Sequence, residues 1–361
     1  LITTYNIKVI AKRFLQMATT NKPRIALIAR MCKSGLGAQT RRLARLIQPD
    51  KVVLIDSSGF NLAQQHPEWY KDYNTVVING FPTDQQVQNY VADVDVLISC
   101  ELFYNANTTQ ICNSNAVETI LIVNPEFFDW LTPRYYNTPL PSKVVVPSHW
   151  RIAEMHKRFN ATYLPTPIFS DEFENARAIN LKRTGKRKYL FVNGKTAIHD
   201  RNGLESLYRA LEHSTGDYTV TIKAQQDIKK HPDPRIVYDF TNPEDNEKLY
   251  TDYDALILPR RYAGQSLPMC EALSSGLPVI MTDIDPNNMA LSKDWLVAAT
   301  PIGSFMTRTE VTIFEANHEQ LAQKLDIIDV GYDAKLRAIY LSQEYDAETL
   351  RKDYQELVTV W

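Results

Sequence analysis

The stretch LILPRRYAGQSLPMCEALSSGLPVIMTD, residues 256–283, gathers the residue types best suited to binding chemistry in this chain. The apolar run ending at Pro259 predicts a strand, Arg260, Arg261 and Gly264 a loop, and Pro268 and Gly276 the start and stop of a helix. Backbone N–H groups at such a helix start, with two arginines beside them, would stabilise a phosphate. Glu271, about one turn into the helix, is placed to accept hydrogen bonds from vicinal hydroxyls such as those of a ribose. The plain alternative is an exposed loop followed by an amphipathic helix.

A second candidate is RIALIARMCKSGLGAQTRRLARLI, where Gly35 and Gly37 stand between a predicted strand and a helix carrying Arg41, Arg42 and Arg45. Glycines let backbone approach a ligand closely, and a helix N-terminus favours anions. With Asp56 ending the next strand, the segment has the outline of a dinucleotide fingerprint. Thr40 in the third glycine position and the five residues from Arg30 to Ser34, where a dehydrogenase turn is tight, argue against that reading. In SCELFYN, after another strand, Glu101 and Tyr104 are candidate acceptor contacts, with Glu101 a possible general base or simply a helix cap. Glu126, after the strand ending at Val123, is a weaker candidate of the same kind, while His149 reads as structural and His199 as a surface histidine.

The first segment resembles the donor site of retaining glycosyltransferases of the GT-B fold, family-four type, whose signature is E-G-x-G-L-P-x-x-E-A-x-A-x-G-x-P-V-I. Gly264, Leu267, Pro268, Glu271, Ala272, Gly276, Pro278, Val279 and Ile280 fall on it in one register, while Ala263 replaces the first Glu, which contacts the donor sugar in that family. The run YLFVNGKTAIHDRNGLESLYRAL resembles the family's diphosphate-gripping stretch, so the resemblance implies that Lys195 and Arg201 bind the donor diphosphate. It implies catalytic roles for Lys195, Arg201 and Glu271, with Glu271 on the ribose, and Glu101, from its place after a strand, joins them as the catalytic candidate on the acceptor side, a general base if the reaction inverts. Nucleotide-sugar contacts are implied for Gly35, Gly37, Gly194, Arg261, Gly264, Ser266 and Leu267, and acceptor contacts for Tyr104 and Arg41. VVVPSHW is similar to the run closing the family's N-terminal domain, with Ser148 as a helix cap, and the glycine loops together resemble a branch common in tailed bacteriophages.

Positioning these residues requires parallel sheets. Short β-rich runs start near Arg24, Lys51, Thr75, Asp95, Thr119 and Lys143, and again near Lys188, Tyr218, Arg235, Asp254, Pro278 and Trp295, with helical patterns between. This predicts an α/β protein with two Rossmann-like doubly wound domains facing across a cleft. The expected boundaries are an extension over 1–16, an acceptor-side domain over 17–165 and a linker over 166–187. A donor-side domain follows over 188–330, then C-terminal helices over 331–361 that pack back on the first domain.

The 361 residues are 44% hydrophobic and 23% charged, which excludes a disordered or collagen-like chain. Forty Lys+Arg against 42 Asp+Glu give a net charge of −2, so any nucleic-acid contact must come from a local patch. Cys32, Cys100, Cys112 and Cys270 have no metal-ligand spacing, and no run is long enough to span a membrane. A cytoplasmic, reducing location without a bound metal is expected, and residues 1–16 lack the features of a signal peptide.

The resulting expectation is a transferase moving a sugar, with retention, from a nucleotide-diphosphate sugar to an acceptor hydroxyl. No cofactor is called for: the donor, expected to be a UDP-sugar, is a substrate. The phage resemblance implies a hydroxymethylated pyrimidine in DNA, a virion protein or a glycan as acceptor. A sugar-nucleotide epimerase, an NAD-dependent dehydrogenase and a catalytically silent nucleotide- or glycan-binding relative are the alternatives.

Overall fold

The computed structural model describes residues 22–59, 64–128, 139–194, 198–241, 246–262 and 264–359. The expected extension over 1–16, Lys195 and Ala263 lie outside the described residues. The chain divides into two compact units, Leu1–Pro167 with Leu350–Trp361, and Ile168–Thr349.

In the first unit β1 (Ile25–Arg30), β2 (Lys51–Asp56), β3 (Thr75–Asn79), β4 (Val96–Cys100), β5 (Glu118–Ile122), β6 (Lys143–Val146) and β7 (Thr162–Tyr163) form one parallel sheet. Its order is β3-β2-β1-β4-β5-β6-β7. The inner strands β1, β2 and β4 are apolar and buried on both faces, as a parallel sheet covered by helices requires, whereas the edge strand β3 exposes Val77. In the second unit β8 (Arg187–Gly194), β9 (Tyr218–Ala224), β10 (Ile236–Asp239), β11 (Ala255–Leu258), β12 (Val279–Thr282) and β13 (Leu296–Val297) form a second parallel sheet, ordered β10-β9-β8-β11-β12-β13. Each strand expected from the sequence is present, so the chain is α/β with two doubly wound units.

Both sheets reverse direction of travel at one place, between β1 and β4 and between β8 and β11. Loops leaving those two strands diverge, so a crevice opens at their C-terminal ends, where ligands of such sheets bind. The candidate residues follow these strands: Gly35, Gly37 and Arg41 after β1, Glu101 and Tyr104 after β4, Arg201 after β8, and Arg261 to Glu271 after β11.

Two boundaries and one element differ from expectation. The stretch 166–187 is not an open linker: Glu174–Lys182 is a helix of the second unit, and Ile168, Phe173, Ala176 and Asn180 are buried there. Asn180 explains why, since its Nδ2 donates to Tyr250 O and Ser275 O, both at 2.9 Å, while its Oδ1 accepts from Asp252 N at 2.9 Å. Beside it, Arg183 pairs with Asp252 at 3.2 Å and with Asp254, and Lys188 with Asp252 at 2.9 Å. The C-terminal segment returns to the first unit only from Leu350, where the Tyr354 hydroxyl donates to Pro165 O at 2.9 Å; the Tyr332–Ser342 helix belongs to the second unit.

The third difference is an antiparallel hairpin, β14 (Ala299–Met306) and β15 (Glu310–Ala316), after β13. Pro301 and Gly303 break the alternation by which a strand is recognised, and the ladder shifts register between them.

Gly203 fixes how closely the two loops of the second crevice approach. Its φ is +78°, and a Cβ there would lie 2.1 Å from Pro259 O. Gly203→Ala is therefore expected to lower stability by at least about 2 kcal/mol, read from the urea unfolding midpoint at constant m-value; an unchanged midpoint would contradict the packing.

Candidate functional site

In the second unit, β8 ends at Gly194 with φ +63°, and the loop beyond it passes through His199 (φ +56°) and Asp200 (φ +50°). Non-glycine residues in the left-handed region carry strain that the surroundings must hold, and such strain gathers at functional loops. Asp200 does part of the holding. Its Oδ1 and Oδ2 accept from Leu204 N and Glu205 N, each at 2.9 Å, at the start of the Leu204–His213 helix. Burial raises the Asp200 carboxyl above its ordinary pKa despite these two donors. Arg201 follows, half-buried, with its guanidinium 5.1 Å from the centre of the Tyr262 ring.

The loop after β11 is tied down by both of its arginines. Arg260 is buried, and its Nη1 donates to Gly264 O at 3.3 Å. Arg261 donates from Nε to Phe314 O at 3.2 Å and from Nη1 to His199 O at 3.2 Å, and its Nη2 pairs with Glu315 at 2.9 Å. Its backbone N–H also donates to Arg201 O at 2.9 Å. The sequence suggests a ligand contact for Arg261; the structure engages its side chain as a clamp joining both crevice loops to β15.

Gly264 (φ +105°) turns the chain into the Leu267–Ser274 helix, which Ser266 caps by accepting from Met269 N at 3.4 Å. Leu267 and Pro268 form the helix's first turn. Glu271 is 6% exposed, and its Oε2 accepts from the Tyr250 hydroxyl at 2.6 Å. Tyr250 is itself fully buried and packs edge-on against Phe173. Nothing in the Glu271 motif points to Tyr250, which lies earlier in the chain and reads from sequence as a core aromatic.

In the first unit Gly37 is required by packing: a Cβ there would lie 1.9 Å from Cys32 O. Ser34 caps the Gly35–Ile47 helix by accepting from Gly37 N at 3.1 Å, and Gly35 is exposed at its start. Thr40 occupies the third glycine position because its hydroxyl is used, donating to Gly37 O at 3.2 Å and bonding with the Tyr70 hydroxyl at 3.2 Å. Arg41 lies with its guanidinium 5.2 Å from the Trp69 ring, and Trp69 stacks on His66 at 4.6 Å.

Glu101 (φ +70°) and Tyr104 (φ +63°) are two left-handed residues in one short loop after β4. Arg30, the last residue of β1, donates from Nη1 to the Tyr104 hydroxyl at 3.4 Å, which joins the two strands of this crevice. Burial pushes the Tyr104 hydroxyl up to about 12, so at neutral pH it keeps its proton while accepting from Arg30. Arg30 was not legible as a site residue because the fingerprint draws attention to the glycines beyond it. Glu126 is buried in the turn Pro125–Phe127, and His149 stacks on Tyr163 at 3.9 Å. Ser148 does not cap the following helix, Ile152–Phe159, which begins after Arg151 without a side-chain cap.

Tyr250→Phe removes one donor from a buried carboxyl and is expected to cost about 1–3 kcal/mol of stability, measured by urea unfolding; a cost near zero would mean that Tyr250 does not orient Glu271.

Residues 206–325 match the family model described as Glycosyl transferases group 1. A search of curated proteins found no match. Among solved structures, a glycosyltransferase from Rickettsia africae ESF-5 is similar at TM-score 0.67 and 15% identity, covering 95% of this chain and 100% of its own. A sucrose-phosphate synthase from Thermosynechococcus elongatus is similar at TM-score 0.66 and 12% identity, covering 93% and 98%. Anabaena HepE, solved in complex with UDP, gives TM-score 0.66 and 12% identity, covering 93% and 99%. At these identities the likeness is one of fold, the GT-B fold of two Rossmann-like domains.

Proposed function

We propose that this chain is a glycosyltransferase that uses a nucleotide-diphosphate sugar and transfers the sugar with retention. The observation that carries the proposal is Glu271, a buried carboxyl oriented by Tyr250 on the helix that leaves the second crevice, inside the segment matching the group 1 glycosyl transferases. UDP is the nucleotide to test first, because the similar Anabaena HepE was solved with UDP and with UDP-glucose.

In this reading Glu271 accepts from the ribose hydroxyls. The N-terminus of the Leu267–Ser274 helix and Arg201, with Lys195, stabilise the charge that grows on the departing diphosphate. The bond from the acceptor oxygen to the anomeric carbon forms as the bond from that carbon to the phosphate oxygen breaks. The acceptor proton passes to the leaving phosphate, so the protein need supply no nucleophile. Arg261, engaged with Glu315, positions the site without touching the donor.

On the acceptor side the reading assigns Glu101, Tyr104 and Arg41. A hydroxymethylated pyrimidine in phage DNA is supported by the sequence resemblance and by the exposed Arg41 and Arg45 face, and is tested as one acceptor among glycans and proteins. A cytoplasmic location belongs to the same reading, supported by four buried cysteines that form no disulfide with one another. Among the described residues no helix is long and apolar enough to cross a membrane.

With UDP-glucose and other nucleotide sugars, slow release of nucleoside diphosphate and free sugar is expected, and Glu271→Gln should reduce nucleotide affinity by about tenfold or more while the fold persists. A new nucleotide sugar would mean an epimerase. Binding without turnover would mean a silent relative, and affinity for NAD alone would overturn the reading.

A further inference from the structure

Among the described residues the hairpin β14–β15 pairs with no other strand, and a two-stranded sheet is marginal by itself. Its position is therefore set by what it touches, and those contacts converge on the second crevice. At the β15 end, Phe314 N donates to Arg261 O at 2.7 Å, and Glu315 joins Arg261, Ser206 and His318 at 2.9, 3.3 and 2.7 Å. At the β14 end, Phe305 meets the Tyr262 ring edge-on at 5.1 Å and the His199 ring at 4.5 Å. Its neighbour Met306 is 68% exposed, so Phe305 turns inward from a strand that otherwise faces water.

Tyr262 is 3% exposed and carries the Arg201 guanidinium on its face at 5.1 Å. A T-shaped aromatic neighbour fixes the plane of a ring, and the plane of the ring fixes where a cation over it sits. The chain of contacts is thus Phe305 to Tyr262 to Arg201, with His199 held by the same Phe305 on the loop from which Arg201 projects. We propose that the hairpin is a brace for diphosphate recognition, and that Phe305 is a positioning residue setting the Arg201 guanidinium through Tyr262. This rests on the donor-site reading above and adds to it a residue more than a hundred positions downstream of the cation it serves.

The test compares the affinities of UDP and uridine for the full chain carrying Phe305→Ala, Phe305→Leu, Phe305→Tyr, Arg201→Ala, or Phe305→Ala with Arg201→Ala. Phe305→Ala should weaken UDP about tenfold and leave uridine unchanged, because only the phosphates feel Arg201. Phe305→Tyr should restore UDP binding, and Phe305→Ala should cost nothing further once Arg201 is alanine. Phe305→Leu keeps an apolar side chain there should the alanine variant unfold, and it too should lose UDP selectively. Equal weakening of UDP and uridine, or full UDP affinity in the leucine variant, would overturn the brace. If Arg201→Ala weakens UDP while Phe305→Ala does not, the donor site stands and the brace falls. If Arg201→Ala leaves UDP affinity intact, or wild type binds neither ligand, the donor-site reading fails and the brace with it.

Discussion

The second unit depends on one close approach, that of the loop before Gly203 to Pro259, just after β11. Only a residue without a Cβ fits between them, and the backbone there must take a positive φ. Once the loops are this close, Arg261 N reaches Arg201 O and the Arg261 side chain reaches His199 O, so neighbouring contacts follow from the first. A crevice at a topological switch point normally widens because its loops diverge. Here the loops are stitched together at the base.

The two units use their crevices differently. In the second, polar groups are oriented by partners at a distance in sequence: Glu271 by Tyr250, Arg261 by Glu315. In the first, Gly37 and Thr40 hold the Gly35–Ile47 helix at the end of β1, and left-handed backbone lies at Glu101 and Tyr104, as it does at His199 and Asp200 in the second. A helix locked in this way offers a fixed surface. The strained loop, with Arg30 beside it, is where recognition of a variable partner is more naturally built.

The sheets were legible in the sequence because parallel strands buried on both faces read as uninterrupted Val, Ile and Leu runs, as in KVVLID and YLFV. Glu271 and its helix were legible because Pro268 and Gly276 punctuate it and the motif supplies a register. The hairpin was not, since Pro301 and Gly303 hide its period, nor was the helix over 174–182, whose reason for existing is Asn180 bonding to residues far along the chain. Tyr250, Arg30 and Phe305 share that difficulty: each matters through a partner that only folding brings near. Arg261 shows the converse, a residue whose type suggests a ligand and whose partners are supplied by the protein.

A nucleoside diphosphate is proposed to bind at the crevice between β8 and β11. Hydrogen exchange of the protein with and without UDP tests it most directly. The account predicts that protection gained on binding concentrates in residues 194–205 and 259–275. Protection confined to the segment after β1, around Gly35 and Gly37, would contradict it.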